Sequence, residues 1–496
     1  MKQSIDFDHE NGNTLWWDAV CQDMKNVHPE FEPWGKPEGD IPPGYQDIKC
    51  HLIFDIKMGE NFRQKARFVA GGNMPETPTT LTYASVVSRD SVCIELTITA
   101  LNGLDILSCD IHNAYLTAEC REKICTNDGP DFGSEAGTIM IIRMALYCLN
   151  SSGTAFHAHL AETLNYIGFL STKADPGVWC RPAVKPNGFE YYEYILCYVD
   201  DILCISRGPG IALGRIQSIL KFKGDNMDQP KIHLGAQVGN MIVDGEEGWF
   251  VENVEQNHAK SNQLLPIHCK TPIMSGYRPE TDTSPEIKAE GVTPYQEVFR
   301  VLRWAVELGR VDILLETALM STYLPLLCRG HLKQIFHNFG YLKMKPKRKL
   351  CFDPHHPAIN ERSFAAHGWY DLYRYAKEDI PADAPTPRGN VVPTHYFVDS
   401  DHAGDMATRI SQTGVLILVN KAPIQWYSNR KNTVETSMFS SEFIALNTAT
   451  ELVEALRYKL RMFGIPIEGP TNMFCNNEAV YKNASTLELT LKKKKI

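Results

Sequence analysis

Residues Tyr194 to Ser206 read YILCYVDDILCIS, two apolar runs that meet at Asp200 and Asp201. The pattern predicts a β-hairpin over 191–206 with the carboxylates in its turn. Adjacent carboxylates repel each other, and burying either one without a cation or a donor costs several kcal/mol, so something nearby must compensate. Taken alone, the pair also fits a solvated turn.

The rest of the chain supplies an α+β setting for this hairpin. TLWWDAVCQDM after Asn13 predicts an N-capped helix with Leu15, Trp16, Ala19, Val20 and Met24 on one face. A Pro- and Gly-bearing loop over 33–44 follows. HLIFDIKM, a turn at Gly59 to Asn61 and FRQKARFV then predict another hairpin. Helices are expected over 90–102 and 155–167, with a strand over 104–111 ending at Asp110. Thr293-Pro294-Tyr295-Gln296 reads as a capping box opening a helix that Gly309 closes. IPADAPTPRGN, residues 380–390, has four prolines and no apolar period and reads as a linker. Beyond it, strands are expected at 396–399, 415–419 and 424–427, a long helix over 441–463 closed by Gly464, and a strand at 473–475.

At 496 residues the chain is too long for one core, and about three domains are expected. The fourteen cysteines are scattered, none in a C-x-x-C pair, and read as reduced thiols of an intracellular protein. No run is long and apolar enough for a membrane span, and no secretory signal is readable at the N-terminus. A net charge of −9 argues against non-specific attraction to nucleic acid. It leaves open a cleft in which basic groups are gathered, whereas the Lys492 to Lys495 run reads as a solvated end.

Asp110 ends one strand and Asp200 and Asp201 turn a hairpin. If these elements neighbour one another in a sheet, the three carboxylates converge on a site suited to Mg²⁺, which prefers oxygen ligands and serves phosphoryl transfer. Strand alternation places Arg63, Lys65 and Arg67 on one face, with Phe62, Ala66 and Phe68 on the other. A guanidinium beside an ammonium suits a triphosphate; a charged, solvated edge strand fits the same pattern. A metal-dependent phosphohydrolase would explain the carboxylates but not this hairpin.

The segments QKARFVAGG, CDIHNAYLTA, YIGFLSTKADPGVW and YVDDIL, followed by LRWAVELGRVDI and GHLKQIFHNFGYLK, resemble in this order the reverse transcriptase of copia-type LTR retrotransposons. FVDSDHAGD, TGVLILVNKAPIQWYS, NTVETSMFSSEFIAL and FCNNEAV resemble the ribonuclease H domain that follows it. The resemblance spans residues 15–485. It implies a right-hand polymerase followed by a ribonuclease H-like α/β domain: a lead-in over 1–45, fingers and palm over 46–220, helices of thumb and connection over 221–377, a linker over 378–394 and the last domain over 395–496.

The same resemblance implies that Asp110, Asp200 and Asp201 are catalytic and bind two Mg²⁺ ions, and that Lys65 and Arg67 grip the incoming deoxynucleoside triphosphate. Tyr115 matches the gate beside its sugar, and His233-Leu234-Gly235 matches a primer-holding turn. The implied partners are an RNA template and a DNA or RNA primer. In the last domain Asp399 and Glu442 match catalytic carboxylates. Asn476 stands where the family has an Asp, and relatives continue past the position of Ile496 with a His-bearing segment. An incomplete domain with weakened hydrolysis is therefore expected.

Cys148, Asn150, Phe156 and Arg300 depart from the family pattern at Gly, Lys, Trp and Gly respectively, as in a decaying copy. A catalytically decayed remnant that only binds nucleic acid is the alternative to an active polymerase. If the family glycine at 148 has positive φ, a Cβ there is strained.

Overall fold

The computed structural model describes residues 2–34, 41–57, 62–71, 82–127, 129, 132, 135–253, 269–359 and 378–485. The turn at 59–61 and the basic run at 492–495 lie outside them. The chain is a mixed α+β structure. The polar start forms helix α1 (Lys2–Asn11), followed by α2 (Leu15–Val27). At the start of α2 Asn13 Oδ1 accepts the N–H of Leu15 at 3.4 Å, and Asp8 of α1 accepts those of Trp16 and Trp17 at 3.1 and 2.9 Å. The buried face of α2 is Val20, Met24 and Val27, while Leu15 is exposed.

Strand β1 (Phe31–Pro33) belongs to a small sheet with β2 (Gln46–Asp47), β6 (Ile124–Asn127) and β7 (Ile139–Ile142), ordered β1-β7-β6-β2. Beside it stands the expected hairpin of β3 (Cys50–Lys57) and β4 (Arg63–Ala70). Ala66 and Phe68 of β4 share a core with Val20, Met24 and Val27 of α2. Phe62, expected on that apolar face, is exposed and lies outside the strand at φ +57°.

Ser88 opens α3 (Arg89–Asn102), its side chain accepting the N–H of Ser91, and Gly103 closes it at φ +55°. Strands β5 (Asp105–Asp110), β8 (Leu170–Ser171), β9 (Val178–Val184), β10 (Glu190–Tyr198) and β11 (Asp201–Ser206) form an antiparallel sheet ordered β5-β11-β10-β9-β8. Helices α4 (Ser152–Tyr166) and α5 (Pro209–Gln217) cover one face, where Ile195, Cys197, Ile202 and Cys204 pack. Helix α3 covers the other, over Tyr194, Leu196, Leu203 and Ile205. Both faces are buried, so successive residues on these strands must all be apolar. That is why the YILCYVDDILCIS runs are continuous rather than alternating.

The expectation of helices directly after residue 220 is corrected. Strands β12 (Ile232–His233), β13 (Ala236–Val243) and β14 (Glu246–Asn253) come first and pair with the later β15 (Lys349–Phe352) as a four-stranded antiparallel sheet. Two-residue turns set its register: Leu234-Gly235 at φ +52° and +84°, and Asp244-Gly245 at φ +49° and +92°. Positive φ at both positions matches the right-handed twist of hairpin strands. Helices α6 (Ala289–Glu307), α7 (Leu314–Ser321) and α8 (Arg329–Met344) follow. Thr293-Pro294 does not open α6, which starts four residues earlier with Pro294 inside it. So near the N-terminus, the proline removes a single backbone bond. Arg300 is exposed on α6.

After the irregular stretch at 380–390, β16 (Thr394–Ser400), β17 (Gln412–Val419), β18 (Ala422–Arg430) and β19 (Asn472–Cys475) form a sheet ordered β18-β17-β16-β19, with β19 parallel to β16. Helix α9 (Met438–Met462) is buried against it and α10 (Glu478–Ser485) ends the described chain. Ser437 caps α9, accepting the N–H of Ser440. Gly464 follows α9 at φ +74°, and a Cβ there would lie 2.4 Å from the Tyr192 ring. At this close approach the Tyr194 hydroxyl donates to the Phe463 carbonyl at 2.8 Å, joining the last sheet's helix to the central sheet.

Candidate active site

Asp110 ends β5 and Asp201 begins β11, and the two are register partners on adjacent strands. Asp200 lies between β10 and β11, and its carbonyl accepts the Ile111 N–H at 2.9 Å. Three carboxylates thus meet at one end of the central sheet. The turn holding them is strained, because Val199 is β-branched yet sits at φ +56°, a conformation that costs about 1–3 kcal/mol and persists only where its surroundings enforce it. Burial, reinforced by Asp200 and Asp110, pushes the Asp201 carboxyl up to about 6. Asp200 is also raised by burial and by Asp110, with its own backbone N–H, Arg67 and Lys223 pulling it back. The Lys223 ammonium donates to Asp110 Oδ2 at 2.9 Å.

Across from the carboxylates stands β4. Lys65 and Arg67 line the same cleft of about 590 Å³ as Asp110, Asp200, Asp201 and Lys223. Burial, with repulsion from Arg67, Lys57, Lys223 and Arg63, draws the Lys65 ammonium down to about 8. Lys57, Arg63, Lys65, Arg67 and Lys223 all line this cleft, and such a gathering of cations suits an anion. The Arg67 guanidinium lies over the Tyr147 ring, 5.3 Å from its centroid. Tyr115 meets Tyr147 edge-on at 5.5 Å and Phe156 at 6.2 Å. Its phenol is raised by burial and by Asp200, and Tyr115 is not among the residues that line the cleft. The next residue along from Tyr147, Cys148, has φ +70°, so the Cβ at this position is strained.

Three hard carboxylates whose repulsion is only partly offset fit a divalent cation such as Mg²⁺. Among the described residues Asp244, Asp353 and His355 also converge within metal-ligand reach. There Lys421 already faces both aspartates at 3.7 and 3.6 Å, and His355 pairs with Asp353 at 2.6 Å.

Asp399 on β16, Glu442 on α9 and Asn476 after β19 make a second polar site. Asn476 Nδ2 donates to Asp399 Oδ1 at 3.2 Å. Glu442 is buried, and burial and Asp399 raise its carboxyl while Lys431 and the Ser400 backbone oppose them. The Lys431 ammonium is buried as well and donates to Ser400 Oγ at 2.7 Å and to the Ser441 carbonyl and hydroxyl at 2.6 and 2.7 Å.

Sequence reasoning did not single out Tyr147, Lys223, Lys431 or Asp23. Tyr147 directly precedes Cys148, which departs from the family pattern, but no role was read for it. The others carry no local signal, because only the fold brings them to these sites.

Residues 39–243 match the family model described as reverse transcriptase (RNA-dependent DNA polymerase). The retrovirus-related Pol polyprotein from transposon RE1 of Arabidopsis thaliana is 21% identical over 448 residues, 88% of this chain and 27% of that one. That from transposon TNT 1-94 of Nicotiana tabacum is 21% identical over 440 residues, 84% of this chain and 30% of that one. Residues 39–243 therefore carry the reverse transcriptase family match, and most of this chain is similar to retrotransposon Pol polyproteins. The chain spans less than a third of the length of these relatives. The solved foamy viral protease-reverse transcriptase dRH in complex with ds DNA superimposes on this chain with a TM-score of 0.49 at 10% identity, over 96% of this chain and 66% of that one. No described helix of this chain is long and apolar enough to cross a membrane.

Proposed function

We propose that this chain is a copia-type RNA-directed DNA polymerase, with residues 46–220 as fingers and palm, 221–377 as thumb and connection, 378–394 as a linker and 395–496 as a ribonuclease H-like domain. The observation that carries this reading is the single cleft shared by Lys65, Arg67, Asp110, Asp200 and Asp201. Lys65 and Arg67 bind the triphosphate of an incoming deoxynucleotide. Arg67 offers a fork of donors and Lys65 a point charge. Tyr115 packs beside the sugar and disfavours a 2′-hydroxyl. Asp110, Asp200 and Asp201 hold Mg²⁺ when it is bound, which then supplies positive charge against the charge developing on the phosphates.

The reaction joins the primer 3′-oxygen to the α-phosphorus and releases pyrophosphate. The protein's part is to hold the hydroxyl and the phosphate within reach of each other on a rigid sheet end. The turn His233-Leu234-Gly235 is placed at the primer, and the template is RNA.

In the last domain, Asp399 and Glu442 are the surviving carboxylates of a hydrolytic site. Asn476 supplies a donor to Asp399 rather than a third negative charge, and hydrolysis is impaired. A second reading, a decayed copy that only binds a primer-template duplex, draws on the strained Cys148 and on Asn476. Primer extension on poly(rA)·oligo(dT) with Mg²⁺ separates them: incorporation of dTTP above an Asp200→Asn control supports the polymerase, and none supports the binder.

A further inference from the structure

Helix α2 remains unused by this function, yet it forms part of the cleft wall. Gln22, Asp23 and Asn26 line the same cleft as Asp110 and Asp200. In the two-stranded β3–β4 hairpin, β4 leaves outward N–H groups along its free edge. Two of these are taken up by specific partners: Ala70 donates to the Tyr147 carbonyl at 2.9 Å, and Phe68 donates to Asp23 Oδ2 at 2.6 Å. The bonded Phe68 N–H directly follows Arg67, whose guanidinium lies over Tyr147. Asp23 is therefore bound to the backbone that carries the anion-binding residues, and its carboxylate is close enough to Arg67 and Lys65 to feel both charges. A carboxylate accepting a backbone N–H is a strong tether, and here it substitutes for a neighbouring strand.

Resting on the polymerase reading, we propose that Asp23 of the lead-in helix is a positioning residue of the nucleotide site: it anchors the free edge of β4 so that Arg67 and Lys65 are held toward the triphosphate. It touches neither the carboxylates nor the reacting atoms. Its loss weakens nucleotide capture and leaves the chemical step intact. Arg67 depends on it, so the two residues act as a unit.

The test uses the whole chain with a primer-template whose primer ends in a dideoxynucleotide, so that binding is read without chemistry. The concentration of complementary dTTP that stabilises the complex is followed by fluorescence anisotropy. Loss of a charge-assisted tether predicts that Asp23→Ala raises this concentration about tenfold, with Asp23→Asn, which keeps an acceptor, raising it less. Primer-template affinity without nucleotide stays within about twofold, and Asp23→Ala added to Arg67→Ala causes little further loss, as expected of coupled residues. In extension assays KM for dTTP rises while kcat holds.

The proposal is overturned if Arg67→Ala weakens dTTP binding while both Asp23 variants match the parent, or if the Asp23 and Arg67 effects add in full. It is overturned equally if Asp23→Ala unfolds and Asp23→Asn binds dTTP as the parent does. If neither the parent nor Arg67→Ala responds to dTTP, the nucleotide-site reading itself fails and the Asp23 proposal falls with it.

Discussion

Asp110 and Asp201 face each other on one rung of the antiparallel β5–β11 pair, with Asp200 beside them in a strained turn. Like charges placed this way cost stability in the absence of a cation. Burial and its neighbours raise Asp201 from 3.8 to about 6, so the folded state keeps a proton that the unfolded chain has lost. The stabilisation from that proton is fully present at low pH and disappears as pH rises from about 4 to about 6. Asp201→Asn should therefore stabilise the metal-free chain at pH 7, by about 1 kcal/mol after allowing for solvent screening, with the gain shrinking toward pH 4.5. Thermal unfolding of the two forms across this range checks it, and the same variant should abolish primer extension.

Lys65 titrates in the opposite sense. Its folded pKa is drawn down to about 8, so its charge is present below that pH and lost above it. For the free enzyme, kcat/KM for dNTP should fall as pH rises through about 8. Lys65→Arg, which stays charged, should remove this limb of the profile, and steady-state kinetics from pH 6.5 to 9.5 would show it.

Glu95 is fully buried in α3, and neither carboxyl oxygen has a hydrogen-bond partner among the described residues. Burial holds its carboxyl well above the ordinary carboxylate range. Its contribution to stability falls as pH rises beyond the unfolded pKa, because only the unfolded chain then ionises freely. Glu95→Met should stabilise the chain by about 1–3 kcal/mol, increasingly so at higher pH, in chemical denaturation.

At the second site, the Asn476 amide donates to Asp399 in place of a carboxylate. The RNA strand of an RNA–DNA hybrid should stay intact in Mg²⁺ under conditions that support DNA synthesis. Efficient cleavage on a denaturing gel would mean that Asp399 and Glu442 suffice.

The paired apolar runs around Asp200 made the central hairpin legible, and strand alternation placed Lys65 and Arg67 on one face. The β12–β14 sheet was missed although Asp244-Gly245 lies between strand-like residues, because the expectation of helices came from a resemblance rather than from the turn chemistry. The start of α6 was misplaced because Thr293-Pro294 mimics a helix opening, whereas the helix begins at Ala289 after the extended Lys288. Lys223, Tyr147 and Asp23 reach the cleft through long-range contacts that no local pattern encodes. Conversely, the strain expected of Cys148 was readable from the residue that replaced a glycine, and φ +70° is what the backbone adopts.

The central claim is that the Asp110, Asp200, Asp201, Lys65 and Arg67 cleft performs templated DNA synthesis. The most direct measurement is single-nucleotide extension of a DNA primer on a defined RNA template with Mg²⁺, each dNTP supplied separately, for the parent chain and for Asp110→Asn. The account predicts addition of the complementary nucleotide alone, and none by the variant. No addition by the parent, or equal addition by Asp110→Asn, would contradict it.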